Sequence, residues 1–262
     1  MIDLVFAIPS YRRATQVSEK TLKNLEKLEV PMEMVTVFVA NEEEFSLYRE
    51  KLPDSVSIVT GELGIGFQRR FINNYFPKGS RIVSLDDDVS LIRKDQAKTT
   101  ELDEPLIPLV ERAFDLCDST GLKFWGIPNT SNGFFMKHDW VTGFRAICGT
   151  MFGEYSQIPE TQSLLPHSED LEKAILHYLH FGGILRLNDI SVKQKRLADG
   201  GVNANFGGKL ERLEGYKKIT EDLVKKYPDL IRMVNEDNPE KGLTKVKNKT
   251  TGRYPSQLAC CQ

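Results

Sequence analysis

The first 85 residues of the chain alternate between short apolar runs and segments with helical spacing. The apolar runs are DLVFAI (3–8), MVTVFVA (34–40), SVSIVT (55–60) and RIVSL (81–85). The segments with helical spacing are 14–28, 42–52 and 67–76. Continuous apolar runs of this length are typical of strands buried on both faces. Because parallel strands need helical crossovers, the alternation predicts a parallel sheet like the first half of a doubly wound nucleotide-binding fold.

The rest of the chain has a less regular pattern. Residues 94–105 are polar and without period, which predicts a surface loop. Two helices are predicted: one at 105–120, ended by Gly121, and one at 167–180, with Ser168 as its N-cap. Strands are predicted at 123–130, in 141–154 and within 182–194, and a helix or helix pair at 210–234. We find no repeat and no clear linker, so we expect one α/β domain with a mixed, mostly parallel central sheet.

Composition is that of a globular protein, with 40% hydrophobic and 27% charged residues in 262. No apolar run approaches the roughly 18 residues of a membrane span. The start, MIDLVFAIPSYRR, lacks a basic region before its apolar stretch, which indicates a first strand rather than a signal peptide. The four cysteines form no CxxC pair, so we expect reduced thiols and a cytoplasmic location.

The charge of the chain is unevenly distributed. The formal net charge is -2, which argues against a general nucleic-acid-coating protein. Residues 193–253, however, carry 15 Lys and Arg against 9 Asp and Glu. This basic part indicates either a polyanionic partner or a set of solvated helix faces.

Three consecutive carboxylates, Asp86, Asp87 and Asp88, follow the fourth apolar run. Ligands of open parallel sheets bind beyond the carboxyl ends of the strands. Clustered carboxylates there suit Mg2+ or Mn2+, which usually bridges to substrate phosphates. Alternation along the chain predicts that Asp86 and Asp88 face the ligand, with Asp88 on the metal and Asp87 supporting the turn. An Asx turn is the alternative, but it does not require three carboxylates.

The segment GELGIGFQRRFINNYFPKGSRIVSLDDDV resembles the GT-A glycosyltransferases, which have a Rossmann-like fold. In that fold a glycine turn precedes a helix with an arginine, and a strand then ends in a DxD-type motif. The resemblance implies that Gly64 and either Arg69 or Arg70 lie at a nucleotide-sugar donor. It also implies that Asp86 and Asp88 hold a divalent metal, Mn2+ or Mg2+, with Asp86 and Asp87 also near the donor.

The motif IPSYRR follows the first predicted strand, where the GT-A fold contacts its nucleotide. Tyr11 is suited to stack on a base, and Arg12 and Arg13 to bind phosphate. A solvated helix start is an equal alternative for either arginine alone. The resemblance implies that the donor contacts in this motif are Pro9, Ser10, Tyr11, Arg12 and Arg13.

An acidic pair, Glu169 and Asp170, opens a predicted helix about 80 residues later. GT-A enzymes often place such a pair facing the acceptor. An inverting transferase needs a carboxylate to take the proton of the attacking hydroxyl, and Asp170 or Glu169 fits that role. The alternative is that the helix dipole alone favours acids in the first turn.

A segment rich in glycine and lysine, VKQKRLADGGVNANFGGK (192–209), follows the last predicted strand region. It predicts a loop that closes over the diphosphate, in which a cation stabilises the leaving group. A glycine-rich hairpin is an equal alternative. The candidate donor contacts are Lys193, Lys195 (or Arg196), Gly200 and Gly201.

The order of these motifs over nearly 200 residues is similar to that of the TET/JBP-associated glycosyltransferases of phages and kinetoplastids. That resemblance implies transfer of a sugar from a nucleotide-sugar, such as a uridine diphosphate sugar, to a 5-hydroxymethylpyrimidine such as hydroxymethylcytosine in DNA. It implies a donor half (1–95), an acceptor half (96–235) and a polar, basic tail (236–262). It further implies a host-cytoplasmic location if the protein is viral, and no membrane partner.

The DNA acceptor implied by the resemblance gives two further expectations. The target base would leave the stack, and the basic C-terminal part would contact phosphates. The aromatic residues Phe134, Phe135 and Trp140 would bind the acceptor or act as a wedge. Their alternative role is core or lid packing.

Three other functions remain open from the sequence. The first is a GT-A transferase with a glycan, lipid or protein acceptor. The second is a phosphohydrolase of the haloacid dehalogenase type. The pattern Asp86-x-Asp88-x-Ser90 is similar to the nucleophile motif of those enzymes. That motif normally lies on an early strand, whereas three predicted strands precede it here. The third is a non-enzymatic nucleic-acid-binding module.

Overall fold

The computed structural model describes residues 4–95, 98–128, 130, 132–166, 168–193, 209–235 and 244–247. Its strands are β1 (Leu4–Pro9), β2 (Val35–Val39), β3 (Ser57–Thr60), β4 (Arg81–Leu85), β5 (Leu91–Asp95), β6 (Lys98–Glu101), β7 (Phe124–Gly126), β8 (Trp140–Gly143), β9 (Met151–Tyr155), β10 (Ile184–Leu187), β11 (Ile190–Val192), β12 (Ile231–Met233) and β13 (Thr244–Val246). Its helices are α1 (Ala14–Gln16), α2 (Lys23–Lys27), α3 (Glu42–Arg49), α4 (Ile65–Tyr75), α5 (Leu106–Thr120), α6 (Glu169–Phe181) and α7 (Lys209–Lys226). A π-helical stretch, Val17–Leu22, joins α1 to α2.

A central sheet has the strand order β3-β2-β1-β4-β9-β7-β10-β8. The pairs β1–β2, β2–β3 and β1–β4 are parallel, as the alternating sequence pattern predicts. In contrast, β9 is antiparallel to both of its neighbours, β4 and β7, and β8 is antiparallel to β10. The prediction of a mixed, mostly parallel α/β sheet is therefore confirmed.

Both faces of the central sheet are covered. Phe6 of β1 packs in one apolar cluster with residues of α2 and α5, whereas the next residue, Ala7, packs on the other face with Ile72 of α4. A third cluster joins β7 and β9 to α6, α7 and β12. Alternate residues of one strand thus enter different clusters, which explains the continuous apolar runs.

The predicted loop at 94–105 is wrong in part. Residues Leu91–Asp95 and Lys98–Glu101 pair as strands β5 and β6 of a small antiparallel sheet that also contains β11. The ladder to β11 joins segments about 100 residues apart, so local periodicity gives no sign of it. This small sheet extends directly from the end of the aspartate motif.

The helix ends agree with the sequence only in part. Gly121 ends α5 in the left-handed conformation at φ 74°, as predicted. Ser168 does not cap α6 with its side chain, because its own backbone is left-handed at φ 58°. The predicted helix at 210–234 ends at Lys226, and β12 follows it.

Two findings concern the cysteines and the helices of the described residues. Cys117 and Cys148 are buried free thiols. None of the helices described is long and apolar enough to cross a membrane.

Candidate functional site

The aspartate motif lies where three strands meet. Asp86 follows the carboxyl end of β4, and Ser10 follows the carboxyl end of β1. Because β9 runs in the opposite direction, its first residues reach the same edge. The backbone N–H of Asp86 donates to the carbonyl of Thr150 at 2.9 Å. This edge is the ligand-binding edge of an open α/β sheet.

The middle aspartate, Asp87, is bound inside the protein. Its side chain accepts hydrogen bonds from Arg13 Nη1 at 2.7 Å and from Ser10 Oγ at 2.8 Å. Tyr48 lies 2.7 Å from Ser10 Oγ and must donate to it, since the Ser10 hydrogen goes to Asp87. Burial raises the pKa of Asp87, while Arg13 and Ser10 oppose this effect. Asp87 therefore fixes the turn to β1 and α3.

The outer aspartates, Asp86 and Asp88, are less enclosed by protein contacts. Asp86 Oδ1 accepts from Arg69 Nη2 at 3.0 Å, and its side chain is 29% exposed. Burial raises the pKa of Asp86 to about 7, although the Arg69 charge opposes this. Asp88 Oδ2 lies 3.7 Å from Arg13 Nη1, beyond hydrogen-bonding distance. These two carboxylates remain the predicted metal ligands.

The charges and ligand types of the site fit a divalent metal. Among the described residues, four carboxylates of the site pair with two guanidinium groups, those of Arg13 and Arg69, which leaves an excess of negative charge. In the described part of the chain, no group of three or more His, Cys, Asp or Glu side chains is arranged to hold a metal. Mg2+ usually binds proteins through one or two carboxylates and keeps several waters, so Asp86 and Asp88 alone would fit its protein ligands.

Arg69 connects the aspartate motif to helix α6. Its Nη1 donates to Glu169 Oε1 at 2.5 Å, and its Nη2 donates to Asp86 Oδ1 and, at 2.7 Å, to the carbonyl of Gly149. Only 6% of its side chain is exposed. Arg70, the other candidate from the sequence, is 32% exposed and lies 3.8 Å from Glu62. The buried position thus belongs to Arg69, which acts as a bridge inside the site.

The two acids of α6 have different surroundings. Glu169 is buried and ion-paired with Arg69; burial raises its pKa, and Arg69 opposes this. Asp170 is half-buried and accepts from the N–H of Leu171 at 2.8 Å. A Cβ added to Gly149 would lie 2.2 Å from Asp170 Oδ2, so a larger residue there would displace the Asp170 carboxylate. Of the two, Asp170 is the more accessible.

The remaining predicted donor contacts surround the same edge. The guanidinium of Arg12, an exposed residue, lies 5.0 Å above the ring of half-buried Tyr11. Its backbone N–H donates to buried Glu44 of α3 at 2.8 Å. Pro9 ends β1, and Gly64, at φ 99°, precedes α4. The α3 residues Glu44 and Tyr48 were not foreseen, because their helix has an ordinary amphipathic sequence.

The late loop is only partly described. The backbone N–H of Lys193 donates to the carbonyl of Ser90 at 2.9 Å, so the segment starts beside the aspartate motif. Its side chain is exposed. Lys195, Gly200 and Gly201 lie outside the described residues, as does Arg196.

The three predicted acceptor residues lie at the surface. Phe134 and Phe135 are 76% and 68% exposed, with ring centroids 5.3 Å apart. Trp140 is 39% exposed and begins β8, at the edge of the central sheet. Phe134 and Phe135 are thus too exposed for the alternative of core packing.

Residues 5–115 match the family model described as TET-Associated Glycosyltransferase. The fold is similar to that of a mannosyltransferase from Pyrobaculum calidifontis in complex with GDP-Man and Mn2+ (13% identity, TM-score 0.51). That match covers 83% of this chain and 64% of the mannosyltransferase. A TarS structure from S. aureus, residues 1–349, aligns with a TM-score of 0.45 and 14% identity, over 91% of this chain and 77% of that one. No curated protein is a significant match.

Proposed function

We propose that this chain transfers a sugar to a 5-hydroxymethylpyrimidine in DNA. The proposal is supported by the match of residues 5–115 to the TET-associated glycosyltransferase family and by the GT-A-like fold. The donor is a nucleotide-sugar, most simply a uridine diphosphate sugar, and the reaction uses Mn2+ or Mg2+. One observation carries the proposal: a single guanidinium, that of Arg69, contacts both the aspartate motif and the acidic pair of α6. This contact supports a proposed donor site and a proposed catalytic carboxylate at one edge of the sheet.

The donor side is built from the ends of β1 and β4. Tyr11 and Arg12 are accessible for the base and phosphates of the nucleotide, whereas Arg13 is occupied by Asp87. Asp88 and Asp86 would hold the metal, which when bound neutralises charge on the departing diphosphate. Lys193 starts the loop that would cover the diphosphate.

The acceptor side supplies the base. The acceptor hydroxyl attacks the anomeric carbon as the bond from that carbon to the diphosphate oxygen breaks. Asp170 takes the hydroxyl proton, and the nucleoside diphosphate leaves. Such a single displacement inverts the anomeric configuration. Glu169 cannot do this readily, because its carboxylate is buried against Arg69.

A DNA acceptor is supported by exposed aromatic and basic groups. Phe134 and Phe135 present apolar rings that can stack on or wedge beside an unstacked base. In the two-stranded sheet of β12 and β13, exposed Arg232 lies directly opposite exposed Lys245. Like charges directly opposite each other destabilise a strand pair, and a DNA phosphate nearby would reduce their repulsion.

Mass spectrometry of the acceptor tests this function. Incubation of the protein, Mn2+ and uridine diphosphate glucose with hydroxymethylcytosine DNA should add one hexose mass per modified base. A matched duplex with unmodified cytosine should gain none. If no common nucleotide-sugar adds mass to the hydroxymethylated duplex, the DNA acceptor is wrong.

A thermal-shift screen identifies the donor independently of the acceptor. A bound donor stabilises the folded state and raises the melting temperature. The rise should require Mn2+ and should be specific to one nucleotide. A shift that does not depend on metal would contradict the assignment of Asp86 and Asp88.

A further inference from the structure

Helix α3 holds the turn that follows β1, residues 10–13, by two hydrogen bonds to the backbone of the turn. Glu44 Oε2 accepts from the backbone N–H of Arg12 at 2.8 Å, and the Tyr48 hydroxyl accepts from the backbone N–H of Arg13 at 3.0 Å. Glu44 and Tyr48 are four residues apart on α3, so they lie on the same face of the helix. Only 6% of Glu44 and 1% of Tyr48 is exposed, which leaves little surface for direct contact with a ligand.

The turn needs such contacts because its backbone conformation is unfavourable. Arg12 has φ 57°, in the left-handed region, which costs free energy for a residue with a Cβ. A conformation of this kind persists only where the surrounding structure offsets its cost. Here the Arg12 N–H donates to a buried carboxylate, and hydrogen bonds to carboxylates are among the stronger ones in proteins. Glu44 therefore stabilises the left-handed conformation of Arg12.

The Tyr48 hydroxyl also connects the turn to the aspartate motif. It donates to Ser10 Oγ at 2.7 Å, and Ser10 donates to Asp87 at 2.8 Å. Burial raises the pKa of Tyr48 to about 12, so the hydroxyl keeps its proton at neutral pH. One phenol thus contacts both ends of the turn and, through Ser10, the middle residue of the aspartate motif.

We propose that Glu44 and Tyr48 are positioning residues, which hold residues 10–13 in the backbone conformation that binds the nucleotide of the donor. Neither acts on the donor directly; both act through the backbone that carries half-buried Tyr11 and exposed Arg12. If the turn is formed in only a fraction of the molecules, the dissociation constant of the donor rises by the inverse of that fraction. This inference rests on the proposed function and names the residues that prepare its donor site.

Calorimetric titration with uridine diphosphate and Mn2+ tests the role of Glu44. Glu44→Leu has no acceptor for the Arg12 N–H, so the dissociation constant should rise roughly tenfold, as for the loss of one hydrogen bond to a carboxylate. Glu44→Gln keeps an acceptor oxygen and should stay within about threefold of the wild type, because a neutral acceptor forms a weaker bond. If Glu44→Gln binds as weakly as Glu44→Leu, the charge of Glu44 acts on the ligand itself and the proposal is wrong.

Tyr48→Phe tests the second contact. It removes the acceptor of the Arg13 N–H and the donor to Ser10, while the ring remains in the core, and nucleotide affinity should again fall roughly tenfold. In the transfer reaction, both Tyr48→Phe and Glu44→Leu should raise KM for the donor. Their kcat and their KM for the acceptor should stay within about twofold, as expected when only ground-state binding of the donor is lost. A loss confined to kcat overturns the proposal.

Two variants serve as matched controls, Glu43→Leu and Tyr75→Phe. Glu43 is the exposed neighbour of Glu44 on α3, and Tyr75 is 50% exposed at the end of α4. Both should keep nucleotide affinity within about twofold of the wild type, as surface substitutions usually have small effects. Melting temperatures show whether each variant is folded at the temperature of the titration. If Glu44→Leu does not fold, the conservative Tyr48→Phe decides the test.

Amide hydrogen exchange measures the turn without any ligand. The Arg12 N–H should exchange faster in Glu44→Leu, and the Arg13 N–H faster in Tyr48→Phe, because each has lost its acceptor. Faster exchange with unchanged nucleotide affinity overturns the proposal, since the contacts would then serve stability alone.

The wild type separates failure of this inference from failure of the proposed function. If it binds uridine diphosphate or guanosine diphosphate with Mn2+ and a variant binds equally well, the positioning role of that residue is wrong and the proposed function stands. If the wild type binds neither nucleotide, the proposed donor is wrong, and the positioning role falls with it.

Discussion

Replacement of Arg69 by methionine removes the central ion pair of the site while keeping most of the side-chain volume. Glu169, with 5% of its side chain exposed, would then be a buried charge without its partner. Removal of one member of a buried pair costs about 3–5 kcal/mol. For a chain of this size, that corresponds to a fall in melting temperature of roughly 6–20 °C. The adjacent Arg70→Met is the matched control, and since its ion pair is exposed it should cost at most about 1 kcal/mol.

A double-mutant cycle assigns the loss to the pair itself. Glu169→Gln alone leaves Arg69 with two acceptors, Asp86 and the Gly149 carbonyl, so it should cost less than Arg69→Met. The double variant should be more stable than the sum of the single losses predicts, by about 1–3 kcal/mol. Urea denaturation followed by circular dichroism measures all four proteins. Losses that simply add, or an Arg69→Met variant that melts with the wild type, would refute the bridge.

The stability of the Arg69→Met variant should depend on pH in a direction that follows from the pKa of Glu169. Burial already raises the pKa of Glu169, and loss of Arg69 raises it further. A carboxyl group with a raised folded pKa binds more protons in the folded state than in the unfolded state. Folding stability therefore falls as pH rises above the unfolded value of about 4.3. The variant should be nearest to the wild type at acid pH, and a deficit that grows on acidification would contradict this assignment.

Other predictions concern the chemistry of the site. Asp170→Asn should lower kcat by roughly 10²–10⁴-fold without changing the donor dissociation constant; full activity would exclude it as the base. Asp88→Ala should abolish the Mn2+-dependent rise in melting temperature with donor. If the rise is retained, Asp88 is not a metal ligand. Mn2+ affinity, measured by calorimetry, should rise with pH until about 7, the pKa of Asp86, because the carboxylate must lose its proton to bind the metal. An affinity that does not change with pH would show that Asp86 is not a metal ligand. Phe134→Ser should change the free energy of unfolding by no more than about 0.5 kcal/mol, because the ring is 76% exposed. The same variant should raise KM for hydroxymethylated DNA, and an unchanged KM would leave Phe134 outside the acceptor site.

The sequence predicts those parts of the fold that depend on local periodicity. Strands β1 to β4 and helices α4 and α5 follow from apolar runs and helical spacing, because burial on one or both faces leaves that pattern. The position of the aspartates at a strand end is also predicted, because the apolar run of β4 ends directly before them. The reversal of β9 is different, since it depends on which distant strand fills the position beside β4. No local pattern contains that information.

The sequence indicates which residues belong to the site better than it indicates which of them contact each other. Arg69 and Glu169 are 100 positions apart, and nothing in either segment indicates that they form a pair. The close approach of Asp170 to Gly149 likewise joins two segments that have no common pattern in the sequence. Asp87 looks equivalent to its neighbours in the sequence, yet it alone of the three is bound to both Ser10 and Arg13.

The pairing of β4 with β9 has a consequence for how such a protein can diversify. Asp86 and Thr150 are hydrogen-bonded neighbours, although the intervening segment 87–149 contributes α5 to the core and β7 and β8 to the central sheet. The segment therefore begins and ends beside the aspartate motif and builds part of the sheet between those two points. Diversification is expected in its mostly exposed residues 132–140 rather than across the whole segment, because α5 and β7 are buried in the core.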